Sequence, residues 1–577
     1  MLRKESELEF GVAIEKLSAN DGNLTALRFE IDWEHLQPFS SIQIQQLVVA
    51  LEHNTNLKSI NLAGCGLEKL SNSDFEKLFA ALNTHQGIES IICCEITDKQ
   101  LAIMVPILNK PLKYFELQIN ENLWGDAVTN LVTVLKNVKL KEFRGRRNAS
   151  SQIAAKFAEW LKDKDCTLES LDFQSGSISN YGAVALAEAL NTNISLKRLN
   201  LFNNSIGDEA AMALAKMLKI NKTLESLNIG LNDFKCLAGI QFAHALKFNK
   251  NLVELLIANV PGIGKAFARM LYKNTTLRKL SLKSCTLGNT NLFLKVIKTN
   301  STLKSLNLGR NEIPFKLTAK YAEALAQNTT LEEFELDSNI LKDEIGIDVA
   351  AFGLMLRNNT TLKLLNLSSN NIGDKGAIVI SEGVKLNSTL AELNLEDNVI
   401  GHKGAHAIAA AFKTRPLKRL TLWDNKFKNS GYQALHSLLK YNPALLELDV
   451  DIPNNREIDK MNSTEDKNEA YRQKYRDQFF PRTIQDTTGM NLDVCSVIKD
   501  YHEFESYTLE PEILSPRSKK KLEAKPNEQD NLESKEEAKY TVPKQQYFLR
   551  STKQKLNAAE NKEESCSESK PKKPRIK

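Results

Sequence analysis

Four short motifs in this 577-residue chain place chemically active side chains at suggestive spacings. Val260-Pro-Gly-Ile-Gly264-Lys265-Ala266 approaches a phosphate-binding loop, where backbone N–H groups and a lysine cradle phosphate oxygens. The first glycine of that pattern falls at Asn259, and Ala266 replaces the hydroxyl that would face magnesium. His402 and His406, four apart on a helix, would bring two imidazoles to one face as in a zinc site. No acidic residue lies between them and no third ligand is evident. Cys93 and Cys94 are neighbours on a strand, so they point to opposite faces and are unsuited to chelation. The triplets Asn221-Lys-Thr, Asn274-Thr-Thr and Asn387-Ser-Thr match glycosylation acceptors, yet they recur with a longer repeat and read as turn chemistry. None of these motifs supports catalysis. No cofactor, metal or small-molecule substrate is implied.

What does recur is a frame that must position everything else. Leu196-Lys-Arg-Leu199-Asn-Leu201-Phe-Asn-Asn204-Ser-Ile206 reads LxxLxLxxNxI, and the same frame starts at Leu224, Leu303, Leu362, Leu390 and Leu417. Weaker copies begin at Leu24, Leu57, Ile88, Leu112, Leu140, Leu168, Leu252, Leu277, Leu331 and Leu445, giving sixteen starts, most of them 28 residues apart. The apolar residues at frame positions four and six point the same way from a short strand. The Asn at position nine sits at a turn, where its amide can donate to and accept from unpaired backbone groups. Cys65 and Cys285 fill that slot as structural thiols. A helical half follows, as in Ala210–Leu218, entered at Asp208, Asp374 or a glycine. One unit cannot cover its own leucines, so neighbours must stack. The expected fold is α/β: a curved solenoid of about 16 repeats, with a parallel sheet inside and helices outside.

Composition agrees. Lys plus Arg is 77 and Asp plus Glu 71, a net +6, which is too even for a nucleic-acid coat. No run of ~18 apolar residues exists, so no spanning helix is expected. Met1 to Glu5 leads into acidic residues rather than an apolar stretch, so no ordinary secretory signal is expected, and eight scattered cysteines suit a reducing, cytoplasmic compartment. A monomer with protein partners is the expectation. The domains are expected as an N-terminal cap helix over 1–22, the solenoid over 23–452, a C-terminal capping segment over 453–512 and a disordered charged tail over 513–577. A helix over 463–480 would serve that capping.

The unit with a full helix, and with Ile-Gly-Asp-x-Gly-Ala after its Asn (Asn371-Ile-Gly-Asp374-Lys-Gly-Ala377), resembles the ribonuclease-inhibitor-like class of leucine-rich repeats. That family includes ribonuclease inhibitor, the GTPase-activating protein for Ran and the sensor portions of nucleotide-binding immune receptors. The resemblance implies an intracellular, non-enzymatic protein that binds proteins through its concave face. No nucleotide-binding module accompanies the repeats, and the acidic tail of the Ran activator is not matched. The acidic-polar block Glu563–Lys570 resembles export signals of type IV effectors of intracellular bacteria, which would place the chain inside a host cell; Pro571–Lys577 resembles a basic nuclear-import patch.

Frame positions three, five and seven should face the concave side, with position eight beside them. The unit from Leu140 offers Arg144, Arg146 and Arg147 there, and Gly145 at position six predicts a local irregularity. From Leu331 onward the sign reverses: Glu333, Glu335, Asp337, Glu392, Glu396, Asp397, Asp424 and Asp449 stand against Arg419. Phe202 and Trp423, both at position seven, are the expected exposed anchors. The functional expectation is a two-toned docking surface for a partner protein. The alternatives are a regulator of a small GTPase or of ubiquitin transfer using the same surface, and a structural adaptor that needs no groove.

Overall fold

The computed structural model describes residues 6–29, 38–119, 126–146, 149–287, 291–339, 347–413, 415, 417–442 and 444–450. Contacts divide the chain into residues 1–490 and 491–577, and every described residue lies in the first unit. The expected capping segment and tail lie outside the described residues.

Every frame start is followed by a strand. Among the described residues seventeen strands, from β1 (Ser6–Leu8) and β2 (Ala26–Phe29) to β17 (Glu447–Asp449), pair in chain order and all in parallel. β1 precedes the first frame, and behind it α1 (Phe10–Ser18) buries Ala13 and Leu17. Position four stays in register from repeat to repeat: Leu171 pairs with Leu199, Leu199 with Leu227, Leu227 with Leu255, and so on to Leu448. The side chains at positions four and six, such as Leu306 and Leu308, are fully buried against the helical layer. Each contributes roughly 1.5–3 kcal/mol of burial, realised only when the next unit is in place.

Two ladders of asparagine amides stitch the repeats together. At position nine, Asn311 Nδ2 donates to Leu282 O of the preceding repeat at 2.8 Å, Asn339 to Leu308 O at 2.8 Å and Asn398 to Leu367 O at 2.9 Å. Their Oδ1 atoms accept backbone N–H groups of that same preceding repeat, Asn339 from both Asn311 and Ile313. The second ladder runs through the Asn-x-Thr-Leu turns and the equivalent Asn249-Lys-Asn-Leu252. Asn221 Nδ2 donates to Leu190 O at 2.8 Å, Asn249 to Leu218 O at 2.7 Å and Asn274 to Leu246 O at 2.7 Å, each closing the carbonyl end of the preceding helix. Asn221, Asn274 and Asn387 are buried with their amides so engaged, in keeping with turn chemistry.

Asp374 and Asp208 work across repeats rather than within their own helices. Asp374 Oδ1 accepts from Gly401 and Gly404 N–H at 2.8 and 2.7 Å, and Asp208 Oδ1 accepts from Lys235 N–H. Each thus covers the positive end of the following helix. The strand β6 (Glu142–Arg146) holds regular register with both neighbours despite Gly145. The rings of Phe143 and Phe173 fill the space a side chain at Gly145 would take. The register shift lies earlier, between β4 (Ser90–Ile96) and β5 (Tyr114–Ile119). Cys65 and Cys285 are buried, and burial pushes the Cys285 thiol up to about 12, so it stays protonated and inert.

A left-handed backbone conformation, which no residue type marks, governs position eight. Ser175, Asn203, Leu231, Asn259, Ser284, Arg310, Ser338, Ser369, Asp397 and Asp424 all have φ between 48° and 62°. Every one of these turns is therefore left-handed, with small polar residues predominating as such a conformation favours.

Candidate functional site: the open face of the sheet

Positions three, five and seven lie on the sheet face opposite the helices. Position five is largely committed to structure. Asn200, Asn228, Asn307, Asn366 and Asn394 each accept, through Oδ1, the N–H of the position-seven residue in the same repeat, at 2.9–3.2 Å. Asp172 does the same for Gln174. These are Asx turns that lead the strand into its left-handed corner.

The basic middle is matched internally. Arg144 lies between Glu116, at 3.7 Å, and Asp172, at 3.0 Å, beside the ring of Tyr114. Tyr114 in turn donates to Glu116. Arg198 reaches across Ser170 to Glu142 at 2.6 Å, and Lys279 pairs with Glu254 at 2.9 Å. Arg144 of the expected basic cluster is therefore engaged within the fold; the side chain of Arg146 and all of Arg147 lie outside the described residues. Phe202 is also corrected: it is only 6% exposed, its ring lying against Gly230 at position seven of the next repeat. Trp423 is 52% exposed, as its assignment as an anchor requires.

The acidic half divides into engaged and available groups. Asp337 is 4% exposed, because Gly309 leaves room for its carboxylate to lie across one whole repeat and meet Lys283 at 3.1 Å. Its other oxygen, Oδ1, is buried without a hydrogen bond. Glu392 is buried and shares Arg419 with Glu447, at 3.4 and 2.7 Å. Asp397 and Asp424 are exposed at left-handed corners, Asp424 3.9 Å from Lys426, while Glu396 and Asp449 are half-buried and engaged in further polar interactions. Glu333 and Glu335, on β13 (Glu333–Glu335), are half-buried and meet no cation within ion-pair distance among the described residues.

Burial, then the neighbouring Asp337, push the Glu335 carboxyl up to about 7; Lys283 opposes this only in part. The folded chain thus holds a proton that the unfolded chain has lost by about pH 4.5, so stability falls as pH rises from about 4.5 to about 7. Glu335→Gln is expected to leave the melting temperature unchanged at pH 4 and to raise it at pH 8, by the equivalent of about 1–3 kcal/mol. Scanning calorimetry at both values measures this; equal shifts at both would contradict the assignment.

Among the described residues no group of three or more His, Cys, Asp or Glu side chains is arranged to hold a metal ion. His402 lies at the start of α15 (His402–Phe412) with His406 one turn on, and Gly264 opens α10 (Gly264–Leu271) directly after its strand and turn. Both motifs are absorbed by the repeat. No described helix is long and apolar enough to cross a membrane.

Comparison with curated proteins finds no match. Among solved structures, the yeast complex of Rad7 and Elc1 is similar over 77% of this chain and 93% of the other, with 15% identity and a TM-score of 0.39. An internalin, inlF, from Listeria monocytogenes covers 67% of this chain and 93% of its own at 18% identity and a TM-score of 0.36. The actin-binding site 2 of leiomodin-1 covers 30% and 98% at 22% identity and a TM-score of 0.22. A family model described as a leucine-rich repeat matches residues 53–69, 192–215, 273–290, 299–313, 358–381 and 386–409, each stretch containing one of the frames above. With that frame repeated along one unclosed parallel sheet backed by helices, the chain is a leucine-rich-repeat solenoid of about 16 repeats.

Proposed function

We propose that this protein is a non-enzymatic scaffold that takes a lysine- or arginine-bearing segment of a partner protein on the open, concave sheet face between β13 and β17. The observation that carries this reading is the contrast in charge compensation. Arg144, Arg198 and Lys279 are already paired within the fold, whereas Glu333 and Glu335 meet no cation within ion-pair distance among the described residues and crowd against Asp337 and Glu392. A cationic side chain from outside would relieve that crowding at little desolvation cost, because the carboxylates are already partly dehydrated. Trp423 supplies an apolar anchor beside Glu396 and Asp424. The tail resemblance completes the reading: residues 556–577 handle delivery or localisation, as in secreted effectors built on ribonuclease-inhibitor-like repeats.

Proximity labelling in cells with the full chain identifies the partner. The combined variant Glu333→Lys, Glu335→Lys, Trp423→Ala is expected to weaken its capture at least about a hundredfold, since two opposed charges and an anchor are removed. A partner retained equally by this variant, with the melting profile intact, would refute the proposed face.

A further inference from the structure

Because the described strands all pair in parallel, their helix-to-strand connections lie on one edge of the sheet. Four consecutive connections, after α7 (Asn180–Leu190), α8 (Asp208–Met217), α9 (Cys236–Leu246) and α10, span 191–197, 218–225, 247–253 and 272–278. They carry Lys197, Lys219, Lys222, Lys247, Lys250, Lys273 and Arg278 against Glu225 alone. Their net charge is +6, the formal charge of the whole 577-residue chain. On the opposite edge of the same repeats (173–179, 201–207, 229–235 and 257–263), Asp233 and Lys235 are the charged residues and they cancel. The overall balance of charge thus conceals a segregated edge. Lys197 is held by Glu169 at 2.9 Å; the other six meet no carboxylate within ion-pair distance among the described residues.

Lysine near a helix carboxyl end is ordinarily explained by the helix dipole. Here the second asparagine ladder already closes those ends, binding the carbonyls of Leu190, Leu218, Leu246 and Leu271. The dipole also gives no account of the large apolar side chains between the lysines. Ile194 is 77% exposed, Ile220 51% and Phe248 74%. Asn221 and Asn249 each also point an amide at the carbonyl of the preceding connection, at 3.4 Å, so Ile220 and Phe248, each directly before its asparagine, and Ile194, directly after Asn193, project from one pinned rim.

We propose that this edge docks on an anionic lipid surface, with Ile194, Ile220 and Phe248 entering the headgroup–acyl boundary and the flanking lysines facing lipid phosphate and carboxylate groups. Aliphatic projections suit an acyl boundary, whereas a nucleic-acid strand is gripped by aromatic stacking, for which two isoleucines are unsuited. The lysine stems also lie naturally along such a boundary while their ammonium groups stay in water. The site is separate from the acidic sheet face and does not depend on it.

Co-sedimentation of the full chain with phosphatidylcholine vesicles, with and without about 30% phosphatidylserine, tests the proposal. Binding is expected only with phosphatidylserine and should weaken as salt rises. Lys219→Glu, Lys222→Glu, Lys250→Glu together should lower partitioning at least about fiftyfold. Ile194→Ser with Phe248→Ser should lower it while leaving the salt dependence in place. The C-terminal basic run stays intact in every variant, so partitioning that neither set of substitutions changes assigns binding elsewhere and overturns the proposal. Absence of a phosphatidylserine preference overturns it too. A single-stranded oligonucleotide bound through the same lysines, with vesicles ignored, replaces the lipid assignment with nucleic acid.

Discussion

Asn339→Ala is expected to destabilise the fold by about 3–5 kcal/mol, more than removal of any single surface charge. The side chain is fully buried and makes no contact with solvent. Its amide donates to Leu308 O and Asp337 O, and its carbonyl accepts from Asn311 N–H and Ile313 N–H. Truncation leaves several backbone groups without partners in a dry environment, at about 1–3 kcal/mol for each that water cannot reach. Two of the orphaned N–H groups belong to the preceding repeat, so the loss falls on the interface that couples neighbours. Urea unfolding of the variant should therefore show a lower midpoint and a broadened or split transition, as one half of the array separates from the other. Asn339→Cys should cost less than alanine, because the fold already accepts a thiol at this position, where Cys285 Sγ lies 3.4 Å from Lys283 O. An alanine variant with unchanged midpoint and slope would mean that the ladder is incidental to cohesion.

The frame was legible because its signals are local. Leucines two apart on a strand declare a face, and sixteen repetitions leave no other reading of the period. Asn at position nine was legible for its four hydrogen-bonding sites, although its cross-repeat partners were not. The left-handed corner at position eight is not legible, because Asn, Ser, Asp, Arg and Leu all occupy it and no single residue type marks it. Position five carries a readable signal of its own. Asparagine recurs there at 200, 228, 307, 366 and 394, too often for a surface chosen to fit a partner, and it serves the turn. Phe202 and Asp337 were assigned to the open surface by frame alone. Both are buried for a reason one repeat away: a glycine at the same frame position, Gly230 or Gly309, lets the larger neighbour lie flat. Exposure in a repeat array is thus a property of adjacent pairs. The same holds for charge, since a cation two repeats from an acid is invisible to a reading made one unit at a time.

That dependence makes Lys283, Gly309 and Asp337 a single device, and it gives the second large effect. Lys283→Met is expected to cost about 3–5 kcal/mol, because it strands the buried Asp337 carboxylate, one oxygen of which already lacks a hydrogen bond. Adding Asp337→Asn to Lys283→Met should recover most of the loss, since the buried charge is then gone; chemical denaturation of the two singles and the double gives the coupling directly. Gly309→Ala offers an independent route to the same state. A methyl group there would fall 2.0 Å from Asp337 Oδ1, so the carboxylate must swing off the strand face and leave Lys283. Both charges remain in that variant, and only the path between them is blocked. If Gly309→Ala destabilises the fold and the loss shrinks when Asp337 is also replaced by Asn, the ion pair across the glycine is what fixes the carboxylate. Equal losses from Gly309→Ala with and without Asp337 would instead assign the cost to backbone crowding, and Asp337 would return to the set of groups free to meet a partner.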